Sequence, residues 1–143
     1  MNRTAQAAVA GIAAAAAWVA VEPVWRRLLG GPHRELRLVG RLLASESLWK
    51  PAGLAVHLAN GAAFGVAFER LGGRGVRQAV AAAQIENAVL WPTMAIADRL
   101  HPDVRDGTWP GLVGNPRVLG QEIACHAVFG VVLGLLAPGP EAG

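Results

Sequence analysis

Long stretches almost free of charged side chains alternate along the chain with short segments that carry most of its arginines. Four such stretches cover residues 5–21, 51–68, 78–97 and 118–137. The first two hold no charged residue, and the last two hold one glutamate each. A bilayer core about 30 Å thick needs about 20 mostly apolar residues in a helix. The pattern predicts an all-α, four-span transmembrane bundle that forms a single integral membrane domain, residues 1–143.

The polar connections between these spans differ in character. The first contains residues 35–43, where arginines and leucines are mixed, and this predicts a short interfacial helix in the headgroup plane. The second is a tight, glycine-rich turn at residues 69–77, and the third, residues 98–117, is a loop rich in Pro, Gly and Asp. The first span follows a basic start, as a signal peptide does, but it lacks a small-x-small cleavage site. We therefore interpret it as a retained helix.

Composition favours a membrane protein over a soluble one. Hydrophobic residues make up 53% of the chain and charged residues only 16%, against roughly 25% charged in ordinary soluble domains. An Ala-rich soluble bundle is the alternative, but its surface helices would show a polar stripe. The single cysteine, Cys125, excludes an internal disulfide. The net charge of +3 comes from arginines near the span ends, where anionic lipid headgroups rather than nucleic acid are the expected partners.

Spans two and four share one spacing, His-x-x-x-Gly-x-x-x-Gly. The residues are His57, Gly61 and Gly65 in span two, and His126, Gly130 and Gly134 in span four. Residues four apart lie on one face of a helix, and small residues let helices approach closely in lipid. The four glycines are therefore predicted to be helix-packing positions. The repetition favours two similar helical hairpins.

Polar side chains within spans usually face the interior of a bundle. The predicted intramembrane cluster consists of His57, Asn60, Glu86, Asn87, Glu122 and His126. Because Glu122 and His126 are four residues apart, we expect their side chains to pair on one helix face. His33 and His101 lie beside prolines in connections, and we expect them to be exposed to solvent.

Three interpretations of this cluster remain open from sequence alone. In the first, the glutamates and histidines pair with one another and stabilise the fold. In the second, they line a path for protons, ions or a small solute. In the third, they bind a cofactor: His57 and His126 would hold a haem iron, or these histidines together with Glu86 and Glu122 would hold a metal ion. No residue grouping typical of nucleophilic catalysis is present, so a non-enzymatic role is favoured, with no cofactor predicted in the leading interpretation.

The chain resembles small bacterial inner-membrane proteins of uncharacterised function, such as the YagU-like proteins. An Ala-rich first span followed by Trp and Arg carries part of the resemblance, together with His57, Gly61, Phe64, Gly65, His126 and Gly130. The resemblance implies a multi-pass protein of the inner (cytoplasmic) membrane, and no established reaction. We expect a channel or transporter unit, or an accessory subunit, that works as a homo-oligomer or within a larger membrane complex. The alternative is a haem- or metal-binding redox membrane protein that uses His57 and His126.

Overall fold

A computed structural model of the chain describes residues 1–139, in which the helices are joined by short connections and no strand is present. Seven α-helices and one short 3-10 turn follow one another along the sequence. The helices are α1 (Arg3–Leu29), α2 (Glu35–Leu43), α3 (Trp49–Arg70), α4 (Gly75–Leu90), α5 (Met94–Leu100), α6 (Pro102–Arg105) and α7 (Pro116–Leu136), with the 3-10 turn (Trp91–Thr93) between α4 and α5. The predicted all-α class is confirmed.

Three of the helices, α1, α3 and α7, are long and apolar enough to cross a membrane. The predicted span at residues 78–97 is instead interrupted: α4 ends at Leu90, and Pro92 lies in the 3-10 turn that separates it from α5. Proline cannot donate a backbone hydrogen bond and so disfavours a continuous helix at this position. The 16 residues of α4 extend about 24 Å, less than the thickness of a bilayer core.

The first helix is longer than the apolar stretch that predicts it. It begins at Asn2, whose side chain accepts a hydrogen bond of 2.8 Å from the backbone N–H of Ala5. It continues through Glu22 and Pro23 to Leu29, and it ends where Gly30 adopts a left-handed conformation with a φ of 65°. Glu22 is tolerated within the helix because its carboxylate accepts the backbone N–H of Glu35 at 2.7 Å.

The four long helices pack in the order α3, α1, α7, α4, with α1 and α7 in the centre. Neighbouring helices are antiparallel. Arg3, at the start of α1, pairs with Glu69 near the end of α3 and donates to the Gly139 carbonyl beyond α7. Likewise, Gly134 near the end of α7 lies against Val76 near the start of α4.

The glycines of the repeated pattern lie where backbones meet. A Cβ added at Gly61 would be 2.6 Å from the carbonyl oxygen of Gly11 in α1, and Gly65 faces α1 in the same way. A Cβ at Gly130 would be 2.5 Å from the Cα of Val80 in α4. The structure thus places α3 against α1, and α7 against α4.

The segment at residues 35–43 is helical, as predicted, and forms α2. It packs across the start of α3, where Gly53 contacts the Leu36 carbonyl. The third connection is more ordered than its sequence suggests, because it contains α6 and buries Trp109 and Leu112 in a small second core. We call the end of the bundle that carries α2, α5 and α6 the α2 end.

Candidate functional site: a buried chain of imidazoles and carboxylates

Three histidines and three glutamates alternate in space near the α2 end of the bundle. We call this group the His/Glu chain. In spatial order its members are His57, Glu35, His33, Glu122, His126 and Glu86. They come from α3, α2, the connection between α1 and α2, α7 and α4. Five separate segments of the chain therefore contribute to one site.

His33 occupies the centre of the His/Glu chain. Its Nε2 atom lies 2.9 Å from Oε1 of Glu122 and 3.4 Å from Oε2 of Glu35. The His33 side chain is completely buried, and that of Glu122 is only 4% exposed. Neither ring nitrogen of His33, nor Oε1 of Glu122, makes a hydrogen bond of good geometry. One nitrogen and two carboxylate oxygens thus converge within 4.8 Å of one another.

The two outer histidines are each anchored through one ring nitrogen. Nε2 of His57 lies 3.2 Å from the carbonyl oxygen of Ala15, and Nδ1 of His126 lies 2.7 Å from the carbonyl oxygen of Glu122. A carbonyl oxygen only accepts hydrogen bonds, so these nitrogens carry the protons in the neutral rings. The remaining nitrogens face carboxylates: Nδ1 of His57 is 3.9 Å from Glu35, and Nε2 of His126 is 4.0 Å from Glu86.

His33 and Glu35 are held in their charged forms. Burial lowers the pKa of His33, but the carboxylates of Glu122 and Glu35 act more strongly and raise this pKa to about 10. Burial raises the pKa of Glu35, and the interaction with His33 outweighs it, so that the net shift is downward. His33 therefore carries its proton at neutral pH, and a metal ion that binds Nε2 of His33 has to displace that proton.

A cavity of about 80 Å³ adjoins the His/Glu chain and is lined by residues of α1, α3, α4 and α7, among others. Its polar lining comprises Glu35, His57, Asn60, Glu86, Asn87, Glu122 and His126. This volume accommodates several water molecules but is well below the roughly 300–1,000 Å³ of pockets for drug-sized ligands. The Trp18 indole also lines the cavity, with its ring centroid 5.4 Å from that of His57 and 4.4 Å from that of His126. The indole fills space that a haem between these two histidines would need.

All six residues of the predicted intramembrane cluster line this one cavity, although Asn60 is exposed and Asn87 is buried. The expected pairing of Glu122 with His126 has a different form, because the imidazole bonds to the backbone carbonyl and lies 3.8 Å from the carboxylate. The carboxylate of Glu122 approaches His33 more closely.

The expectation that His33 and His101 are exposed to solvent is wrong, because both are completely buried. His101 stacks on Trp109 with a centroid distance of 4.8 Å, away from the His/Glu chain. His33 and Glu35 were missed as site residues because they lie outside the apolar stretches. The His-x-Glu spacing at the start of an amphipathic helix could have identified them, because it places both side chains near the same helix end.

Beyond the cavity, the opposite half of the bundle is apolar. Phe64 of α3 and Phe129 of α7 meet edge to face, with centroids 5.2 Å apart. The buried side chains further along are small or aliphatic: Ala7, Ala10, Phe68, Ala79 and Leu133. Among residues 1–139, buried polar groups therefore reach the cavity from the α2 end and do not continue through the core.

Comparisons with protein-family models, with curated proteins and with solved structures find no match to this chain. The resemblance to the YagU-like proteins stays a prediction. The chemistry of the His/Glu chain is therefore the basis on which a function can be argued.

Proposed function

We propose that this chain is a four-span membrane protein whose His/Glu chain binds a divalent transition-metal ion. The observation that carries the proposal is the convergence of His33, Glu35 and Glu122. These residues offer one imidazole nitrogen and two carboxylate oxygens, and their side chains are largely buried. Neither ring nitrogen of His33, nor Oε1 of Glu122, makes a well-formed hydrogen bond. Nitrogen and oxygen ligands of this kind suit Zn²⁺, Fe²⁺ and Mn²⁺.

The helix directions support the fourth crossing. Both α3 and α7 run antiparallel to α1, so the end of α3 and the start of α7 lie at opposite ends of the bundle. The segment that joins them has to traverse the bundle, and α4 does so along α7. If α1, α3 and α7 cross the membrane, the α4 segment crosses it too, despite its break at Pro92.

The spacing of the central atoms is close to that of a metal site. Zinc bonds to nitrogen and carboxylate oxygen are about 2.0–2.2 Å long, so neighbouring ligand atoms around a tetrahedral ion lie roughly 3.3 Å apart. The observed separations from His33 Nε2 to Glu122 and Glu35, 2.9 and 3.4 Å, need only small adjustments. A water molecule or one of the outer histidines would complete the coordination.

The outer histidines support this proposal through their hydrogen bonds. Histidines that bind metals usually donate the second ring N–H to a carboxylate or a backbone carbonyl, which fixes the orientation of the ring. His57 and His126 both have this arrangement, with a carbonyl on one side and a carboxylate facing the other nitrogen. We therefore assign them as additional ligands or as groups that orient Glu35 and Glu122. The proposal does not include a haem between His57 and His126, since Trp18 lies against both imidazole rings.

A transporter unit is the second candidate. The polar cavity at the α2 end supports it, because a cation could enter there and be held by the His/Glu chain. Release on the other side would require the apolar half of the bundle to rearrange, or a second copy to supply polar groups. A metal-binding subunit therefore fits the geometry better than a permanently open channel. As the sequence implies, we propose that this subunit has no enzymatic activity of its own and lies in a cytoplasmic membrane of bacterial type.

Metal content and affinity test the proposal directly. The detergent-purified protein is stripped with a chelator and titrated with Zn²⁺, Mn²⁺ and Co²⁺, with Co²⁺ followed by its visible absorption. We expect one ion per chain and a melting temperature that rises on binding, because a ligand that binds only the folded state stabilises it. The isosteric variants Glu35→Gln and Glu122→Gln should weaken binding at least about tenfold, since each removes a charged ligand.

His101→Gln is the matched control, because His101 is equally buried but lies outside the His/Glu chain. It should bind the ion as the wild type does. A folded wild-type protein that takes up none of the three ions would contradict the proposal. The ion pairs would then serve only to stabilise the fold. Equal affinity of Glu122→Gln and the wild type would contradict the assigned ligands.

A further inference from the structure

A cleft at the α2 end lies on the outside of the connection between α1 and α2. It has a volume of about 340 Å³ and is open to the surroundings. Its lining is Arg26, Pro32, Arg34, Arg37, Thr108 and Trp109. Three of these six residues are arginines, and none is an acid. The cleft is separate from the cavity beside the His/Glu chain, with which it shares no residue.

The three arginines differ in how their charges are balanced. Arg37 forms hydrogen-bonded ion pairs with Asp103 and Glu46, which hold its guanidinium in place. Among residues 1–139, Arg26 and Arg34 have no carboxylate within 4.0 Å. The cleft therefore carries two positive charges that form no ion pair with the described residues, although the Glu22 carboxylate acts on Arg26 from a longer distance.

One of these arginines also has a donor that lacks an acceptor. The Nε atom of Arg26 is buried and makes no hydrogen bond with the described residues. Leaving a buried charged donor unsatisfied is costly, whereas charge-assisted hydrogen bonds from arginine to phosphate are strong and often bidentate. The positive charge of Arg34 acts on Arg26 as well, and a bound anion would remove that repulsion.

We infer that this cleft binds a phosphate group, through Arg26 and Arg34, on the headgroup of an anionic phospholipid. Arg26 lies in the last turn of α1, where the helix leaves the predicted hydrocarbon region. Trp109, whose side chain is mostly buried in the second core, also lines the cleft. The volume admits a phosphate together with a small substituent such as glycerol, and the Thr108 side chain supplies a further hydrogen-bonding group.

The inference does not depend on metal binding at the His/Glu chain, and the two are tested by different variants. The protein is reconstituted in nanodiscs of phosphatidylcholine, with or without a fraction of phosphatidylglycerol, and its melting temperature is measured. Arg26→Gln/Arg34→Gln is compared with the wild type and with Arg74→Gln/Arg77→Gln, which removes two exposed arginines from the opposite end. Lipids that remain bound in detergent are identified by mass spectrometry, and inorganic phosphate is titrated in parallel.

We expect phosphatidylglycerol to raise the melting temperature of the wild type and of the Arg74/Arg77 variant, and to be retained by both. In the Arg26/Arg34 variant, retention should fall at least about tenfold, because two charge-assisted contacts are lost. Unchanged retention in that variant, or equal loss in both double variants, would overturn the assignment. Saturation by inorganic phosphate at low concentration, without retained lipid, would overturn the lipid source and identify a soluble phosphate instead.

Discussion

The contact between α1 and α3 provides a quantitative test of the helix packing, through the substitution Gly61→Leu. An added Cβ would lie 2.6 Å from the Gly11 carbonyl oxygen and 2.7 Å from the Ala15 Cβ. Carbon atoms in ordinary contact are about 3.5–4.0 Å apart, so the two helices would have to separate by roughly 1 Å. Inserting a large side chain into a well-packed interface costs about 1–3 kcal/mol.

Separation of these helices also affects the His/Glu chain. His57 lies one turn from Gly61 and donates to the Ala15 carbonyl at 3.2 Å, a hydrogen bond that contributes about 0.5–1.5 kcal/mol. We therefore expect Gly61→Leu to destabilise the protein by about 2–4 kcal/mol. Melting in detergent, followed by circular dichroism, should show a loss of several degrees.

Two control substitutions separate packing from other glycine effects. At Gly120 in α7, an added Cβ meets only Cδ1 of Leu29 at 3.7 Å, an ordinary contact, so Gly120→Leu should be close to neutral. At Gly72 there is no neighbour within 4 Å, but φ is +76°, and a non-glycine residue costs about 1–2 kcal/mol in this conformation. Melting temperatures that fall equally for all three variants would refute the packing argument.

Two further predictions concern topology and acid stability. Reporter domains fused to the first and last residues should respond identically, because four crossings return the chain to the side where it started; opposite responses would exclude four spans. Burial raises the pKa of Asp103, but its ion pair with Arg37 lowers this pKa more, so the net shift is downward. The pair therefore contributes stability above about pH 4, which is lost as the pH falls through the lowered pKa. Asp103→Asn should melt earlier at pH 7 and lose less stability than the wild type between pH 5 and pH 3.

The sequence was sufficient to predict the parts of the structure that depend on local pattern. Hydropathy located the long helices, although it gave only part of α1 and did not predict the break at Pro92. The spacing of Gly61 and Gly130 from the histidines identified helix faces, because four residues make about one turn whatever the neighbouring helix is. Which helix each glycine meets depends on the tertiary arrangement, and spacing within one helix contains no information about it.

The central residues of the site could not be predicted in this way, because they are placed by contacts between distant segments. Gln121 of α7 donates to the His33 carbonyl at 3.0 Å, and a Cβ on Gly31 would be only 2.5 Å from the Gln121 side-chain oxygen. Glu22 of α1 fixes the start of α2 by accepting the backbone N–H of Glu35. These polar residues within the long helices fold the connection back into the bundle, and so they bring His33 and Glu35 inside.

The charge of the His/Glu chain favours a cation as its ligand. The three carboxyl groups of the His/Glu chain lie close together, and His33, the cation between two of them, has to give up its proton to bind a metal ion. Uncompensated charge in a buried membrane environment is expensive. In a purely structural role, protons on these groups meet this need, whereas in the proposed role a divalent ion takes the place of protons, including the proton of His33. Uptake of one metal ion per chain therefore distinguishes the two roles more sharply than any measurement of stability alone.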